Sequence, residues 1–420
     1  MREDWIECKL EDLLDYEQPT KYIIQEEKYN DEFSTPVLTA GKSFIKGYTN
    51  EDFGIFDNLP TIIFDDFTTA SQFVNFKFKV KSSAMKILVP TSKLVNLKYA
   101  FGAMQVNKVR SETHKRYWIS EYSKLAIGLP PAVEQRAIVK KLESLFSSLD
   151  AGVADLKKAQ QQLKIYRQAV LKKAFEGEKR EQKLINISDA IGGFAFKSPD
   201  FLEKGIYQVI RIGNIRPDLI RLDSNPVFVN ELNDKTRKYL LKDNDIVISL
   251  TGTRNKRDYG FSAIVKNKNL LLNQRLAAIR FNKDCNPMYY LHYFSTDYFK
   301  DDFFSAETGN TGQGNVGMNA IKETLVPFPL LSVQNEIVKQ IESRLSVCDA
   351  IEQNIKESLE KSEALRQSIL KKAFEGNLLT EQELAECKLA HDYEPASVLL
   401  ERIKVEHSQV SAAKKKTKKI

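Results

Sequence analysis

The sequence predicts an α+β protein: two mixed α/β domains joined by two long antiparallel coiled-coil helices, an internal pseudo-twofold repeat within one chain. Three observations carry this reading. One long segment occurs twice, 199 residues apart, without a gap from Gln135/Gln334 to Gly177/Gly376 and with 19 identities in 43 positions. Each copy bears an apolar stripe at coiled-coil spacing. The stretches before the two copies are unlike each other and read as short strands between turns. A unit used twice holds two similar domains in equivalent positions.

The elements follow in chain order. Residues 1–129 form the first mixed domain, with strand-like runs at Pro36–Thr39, Thr61–Phe64 and Lys86–Val89 bounded by Gly, Asn and Asp turns. Residues 130–178 are the first long helix. Residues 179–328 are the second mixed domain, with strands expected at Tyr207–Ile212, Asp245–Leu250, Ser262–Val265 and Leu276–Phe281. Residues 329–377 are the second helix. Residues 378–420 hold a short helix over Pro395–Val405 and a lysine tail expected to be disordered.

In the first helix Leu142, Phe146, Leu149, Val153, Leu156, Gln160, Leu163, Tyr166 and Val170 step by mostly alternating fours and threes. The second carries Ile341, Leu345, Cys348, Ile351 (one residue off register), Ile355, Leu359, Ser362, Leu365 and Ile369. So narrow a stripe suits a two-stranded seam rather than burial in a globule. The simplest arrangement packs the two helices on each other, antiparallel. About 43 residues rise roughly 65 Å, close to two turns of B-DNA at ~34 Å each, so the helices suit a spacer.

Length and composition agree. At 420 residues, 42% of them apolar and with 24 Phe and 16 Tyr, the chain is long enough for two cores. Cys8, Cys285, Cys348 and Cys387 lie far apart, which argues against a zinc site or disulfide framework. The acidic start MREDWIECKLEDLLD is unlike a signal peptide, and no run is apolar enough to span a bilayer, so a cytoplasmic chain without a membrane partner is expected.

The net charge of +7 hides a polarity, because five of those charges are Lys414, Lys415, Lys416, Lys418 and Lys419. Residues 1–60 hold 14 acids and 6 bases, residues 77–116 hold 10 bases and one acid, and residues 211–280 hold 14 bases and 7 acids. Each mixed domain therefore owns a basic stretch, as contact with a polyanion requires; lysine-rich solvated surface gives the same pattern.

Searching for chemistry yields little. No Asn/Asp-Pro-Pro-aromatic tetrad is present to grip a flipped adenine. Thr39-Ala-Gly-Lys-Ser43 ends like a phosphate loop, but Pro36 stands where its first glycine belongs. Gly312-Gln-Gly-Asn-Val-Gly317 matches GxGxxG, but a dinucleotide site requires a strand before it, a helix after it and an acid about 20 residues on, whereas Phe-rich, acidic sequence precedes it and Val326-Pro327 soon follows. His114, His292, His391 and His407 are scattered, so catalytic triads and metal clusters have no support.

The helix lead-in LPPxxEQxxIVxxLE (Leu129, Pro130, Pro131, Glu134, Gln135, Ile138, Glu143), RQxxLKKAFEG ending both helices, and EPASVLLERI at 394–403 form one pattern along the chain. In these motifs the chain resembles the specificity subunits of Type I restriction-modification systems, and the resemblance covers nearly its whole length. In the second mixed domain it adds Gly193–Phe201, Ile210–Ile215, Asp243–Ser249 and Leu272–Ile279. The second lead-in departs from the pattern, with Leu330 and Val333 where Pro and Glu are usual. The resemblance implies two target recognition domains, each reading half of a split sequence in double-stranded DNA. It implies helices that fix the gap and dock two modification subunits. Those subunits bind S-adenosylmethionine and methylate adenine, and restriction subunits supply ATP-driven translocation and cleavage. On this reading the chain is non-catalytic and holds no cofactor. The rival readings are a self-contained DNA methyltransferase or nuclease and a coiled-coil DNA-binding scaffold without specificity.

Candidate DNA contacts follow expected strands. Thr251, Thr253, Arg254, Asn255, Lys256 and Arg257 offer groups suited to guanine and adenine edges beside hydroxyls suited to phosphate. Asn273, Gln274 and Arg275 form a second group, although their apolar flanks also suit a structural role. In the first domain Lys42, Lys46 and Tyr48, with Thr68 and Thr69, take comparable post-strand positions.

Overall fold

The computed structural model describes residues 2–39, 41, 43–106, 116–177, 180–309 and 312–417. The chain divides into two compact units, Met1–Asp155 with Ser358–Ile420, and Leu156–Glu357.

The first unit is built on an antiparallel four-stranded sheet in the order Leu14–Glu17, Met85–Pro90, Thr61–Asp65, Ser71–Val74. Alternation across the strands fills two cores. Ile62, Phe64 and Leu88 face Trp118 and Tyr122, while Ile63, Ile87 and Val74 face Phe56 and Phe78. Both faces are covered, so the central strand reads as a continuous apolar run. A three-stranded sheet, Ile45–Thr49, Thr35–Leu38, Lys79–Val80, has its last pair parallel. Strands Ile6–Lys9 and Ala126–Leu129 pair and close the domain.

The second unit repeats that plan. Its four-stranded order is Ser188–Gly192, Leu276–Phe281, Ile246–Ser249, Ser262–Ile264. Ile246, Ile248 and Ile279 face one core, and Val247, Leu276 and Ala278 the other. Phe228–Val229, Tyr207–Ile210 and Leu270–Leu272 form the three-stranded sheet, again with its last pair parallel. Glu181–Lys183 pairs with Leu325–Pro327. Among the described residues, two additions distinguish this unit: a hairpin, Ile215–Arg216 with Leu219–Ile220, and a sheet in the order Thr251–Thr253, Gln313–Val316, Glu307–Thr308.

The long helices run Ala132–Ala174 and Leu331–Phe374, each followed by a glycine at positive φ, Gly177 at 91° and Gly376 at 84°. A left-handed stop of this kind satisfies helix-end carbonyls at little cost in glycine. Each lead-in is tied back by its glutamine: Gln135 Nε2 donates to the Pro130 carbonyl and Gln334 Nε2 to the Pro329 carbonyl, both at 2.9 Å. In the first unit Ile138 and Leu142 pack with Leu370 and Ala373, and Asp150 pairs with Arg366. In the second, Leu171 and Phe175 share a core with Val338 and Ile341, and Arg167 Nη2 lies 2.6 Å from Asp349. One helix ascends where the other descends, so within each unit the paired segments are antiparallel.

The stripe differs from expectation at three positions. Tyr166, Ile351 and Leu365 are exposed. Beside two of them, Arg167 and Arg366 lay their stems inward and turn their charged ends onto acids of the facing helix, Arg366 crossing the Phe146 ring at 4.5 Å.

After the second helix, Thr380 caps an unanticipated helix, Glu381–Leu389, through a capping box with Glu383. The final helix runs Ala396–Thr417, past the expected end at Val405 and through Lys414–Lys416, where a disordered tail was expected. No Gly or Pro interrupts it, and Ala, Lys and Gln are good helix formers. Leu399, Leu400 and Ile403 bury into the first unit's core, and Lys404 pairs with Asp12 at 3.3 Å.

Candidate nucleic-acid interface

In the second unit, strand Thr251–Thr253 leaves the four-stranded sheet and pairs with Gln313–Val316, Thr253 opposite Gln313. The GxGxxG segment is therefore largely strand, not a phosphate loop. Thr251 is buried, its hydroxyl donating to Asn315 Oδ1 at 3.1 Å. Thr253 donates its N–H and its hydroxyl to Asp258, at 2.6 and 3.1 Å. Those bonds, the backbone one foremost, hold the Asp258 carboxyl below the usual carboxylate range. They also pin the turn Arg254–Lys256 and Arg257, whose φ of 45° is left-handed.

The basic residues of that turn differ in freedom. Arg254 Nε donates to Glu307 Oε2 at 2.7 Å, and Glu307 also accepts from the Tyr259 hydroxyl. These two hydrogen bonds, Tyr259's first, lower the Glu307 pKa. The Arg257 guanidinium lies over the Phe304 ring at 4.8 Å. Asn255 and Lys256 are exposed.

Asn273, Gln274 and Arg275 make the turn into strand Leu276–Phe281. Asn273 is 9% exposed, with its N–H on the Ile210 carbonyl, and its Oδ1 is buried without a partner among the described residues. Gln274 and Arg275 are exposed, and Arg275 has a φ of 69°.

The structure brings part of the two groups together. An open cleft of ≈ 630 Å³ is lined by Thr251, Thr253, Asp258, Arg275 and Gln313, and by Arg216 from the added hairpin. Gly213 and Gly312 leave bare backbone on its walls. Arg216 and Gln313 were not among the sequence candidates. The Pro217-Asp218 turn beside Arg216, with Asp218 at φ 59°, was the available signal.

The first domain corrects more. Lys42 lies outside the described residues. Lys46, exposed, and Tyr48, half-buried, are inside strand Ile45–Thr49 rather than after one, because the partner Thr35–Leu38 extends the pairing to Thr49. Thr68 and Thr69 sit in the turn after Asp65, with the Thr68 N–H on Asp65 Oδ1 at 2.8 Å and Thr69 at φ 61°. They belong to a different sheet from Lys46 and Tyr48.

The basic stretch 77–116 is also not all surface. Lys79 is fully buried, its Nζ 2.8 Å from Glu51 Oε2 and donating to the Phe53 carbonyl. Lys86, 2% exposed, faces Asp66 at 3.7 Å and donates to Gln18; burial lowers its pKa. Both charges are neutralised inside the domain and are unavailable to a polyanion. Lys108, Arg110 and Lys115 lie outside the described residues.

All four cysteines are free and buried. Among the described residues no group of three or more His, Cys, Asp or Glu could hold a metal, and no helix is long and apolar enough to cross a membrane.

Comparison with known proteins follows this geometry. Residues 178–361 match the Type I restriction modification DNA specificity domain. The EcoR124I/EcoR124II specificity subunit of Escherichia coli is 40% identical over 205 residues, 45% of this chain and 49% of that protein, so the match spans about half its length. The EcoKI specificity subunit of Escherichia coli K12 is 28% identical over 323 residues, 71% of this chain and 68% of that one. Among solved structures, a chain from work on complex assembly and conformational transition of the type I R-M system aligns with TM-score 0.69 at 18% identity, covering 90% of this chain and 99% of that one. The HsdS subunit from Thermoanaerobacter tengcongensis aligns with TM-score 0.54 at 18% identity, covering 90% and 98%. At that identity the structural likenesses show the fold.

Proposed function

Since this chain belongs to the specificity-subunit family of Type I restriction-modification systems, we propose that it reads a bipartite target in double-stranded DNA and organises methyltransferase subunits around itself. Each mixed domain reads one half-site. The paired helices form an antiparallel coiled coil about a pseudo-twofold axis, fix the gap between the halves, and dock two modification subunits. S-adenosylmethionine belongs to those subunits, and ATP to the restriction subunits that join them. This chain contributes address rather than chemistry.

One observation carries the reading: an ion pair used twice. Asp150 and Arg366 pair in the first unit, Arg167 and Asp349 in the second, and each residue stands 199 positions from its counterpart. Phe374 against Tyr99 (ring centroids 5.1 Å) and Phe175 against Tyr289 (5.0 Å) repeat the relation at the helix ends. Equivalent frames carrying unlike sequences suit a target with two unlike halves.

The test is a domain exchange. Residues 1–129 are replaced by those of a relative, the chain is co-expressed with its modification subunit, and the host methylome is sequenced. One half of the methylated motif should change while the other half and the gap persist. A swap that altered both halves together would sink the modular reading.

A further inference from the structure

Resting on the reading that the second domain recognises duplex DNA, we propose that Arg275 is a specificity-determining residue of this domain, recognising a guanine of the second half-site, with Arg216 across the cleft holding backbone phosphate. The arginines here are not equivalent. Arg254 is engaged through Nε by Glu307, and Arg257 rests on Phe304. Among the described residues Arg216 gives only Nη1, to its neighbour's carbonyl, Ile215 O at 2.7 Å. Arg275 is exposed and makes no side-chain hydrogen bond or ion pair among the described residues, and it lines the same cleft as Arg216.

The backbone under Arg275 is rigid and unusual. Its carbonyl accepts from the Leu250 N–H at 2.9 Å, and the Gln274 N–H donates to the Phe194 carbonyl at 2.8 Å. The φ of 69° is one that glycine or asparagine adopts readily; Asn244 and Asn269 take it in this same domain, at 66° and 62°. An arginine held there without packing benefit marks a position kept for what its side chain does. A guanidinium fork matches the paired O6 and N7 acceptors of guanine in the major groove. The bare backbone at Gly213 and Gly312, where a Cβ would meet nothing within 4 Å, leaves the cleft open to a sugar-phosphate strand beside it.

The decisive variant is Arg275→Gly, because glycine suits the local φ and the melting temperature should not fall. Methylomes are sequenced from hosts carrying the complex of each variant with the modification subunit. Arg275→Gly should leave the first half-site intact and make one guanine of the second half-site degenerate, with discrimination falling roughly 5- to 150-fold. Arg275→Lys should relax the same position, since an ammonium cannot make two parallel bonds. Arg216→Ala should keep the motif while weakening all sites alike and reducing the salt slope of binding by about one. A motif still fully specified in Arg275→Gly overturns the assignment, as does a base relaxed by Arg254→Ala but not by Arg275→Gly. A parent complex that methylates no bipartite motif would instead refute the function on which this inference rests.

Discussion

Phe175 directly follows the first long helix, and its ring is buried in the second unit, 7% exposed, with centroids 5.0 Å from Tyr289 and 5.3 Å from Tyr293. Phe175→Ala removes that ring from a core shared with Ile246, Ile248 and Ile279. Deleting a buried phenylalanine costs about 3–5 kcal/mol, a large part of a domain's stability of about 5–15 kcal/mol. For a unit of this size about 2–4 °C is lost per kcal/mol, so the second unit should melt roughly 6–20 °C lower. Hydrogen exchange monitored by mass spectrometry gives the location. Amides of Ile246–Ser249 and Leu276–Phe281 should exchange roughly two to almost four powers of ten faster, while those of Thr61–Asp65 and Met85–Pro90 keep their rates. Equal acceleration in both sets, or less than about tenfold in the second-unit strands, would refute the claim that the repeated helix end stabilises the unit beyond it.

Two further outcomes test other parts of the argument. Burial pushes the His292 pKa down to about 4 from its ordinary 6.5, and its Nε2 has no partner among the described residues. A depressed pKa contributes stability that is present above pH 6.5 and lost as pH falls through about 4, about 3 kcal/mol over the window. His292→Phe should flatten the acid limb of chemical-denaturation stability relative to the parent, and an unchanged difference between pH 7 and pH 4 would contradict the burial argument. Four residues inserted after Gly152, where a Cβ would meet nothing within 4 Å, should lengthen the first helix by about 6 Å, nearly two base pairs at ~3.4 Å each. Such a stutter disturbs the seam phase modestly. The methylated motif should keep both halves and gain one or two base pairs between them; methylation with the gap unchanged would show that the helices do not set the distance.

Local pattern was legible wherever a signal repeats along the chain. Ile62–Phe64 and Ile246–Ile248 stand out because both faces are covered and every side chain is apolar. Leu276–Phe281 was read to the residue. What stayed hidden was long-range pairing. Lys79 and Lys86 count as surface charge until Glu51 and Asp66 are brought against them by the fold, and no local pattern announces a buried ion pair. Arg254 looked as free as Arg275 because its acid, Glu307, is 53 residues away. Tyr166 and Leu365 were placed in the seam by apolarity. The positions beside them hold arginines whose charges find acids on the facing helix.

That exchange has a consequence for how a repeat specifies its own pairing. When a segment packs antiparallel on its own copy, any pair of residues that meets once must meet again with roles reversed. An aspartate and an arginine on the segment, Asp150 and Arg167 in one copy and Asp349 and Arg366 in the other, thus give two cross-helix pairs, one in each unit. Exposed pairs of this kind contribute only about 0–1 kcal/mol each, and leucines at the same places would hold the helices more tightly. Leucines would also accept a slipped register. Slipping either helix by one turn leaves both arginines facing the wrong residues at once, so the pairs select one alignment rather than strengthen it. A subunit whose proposed task is to hold two half-sites at a fixed separation needs that selectivity more than it needs stability.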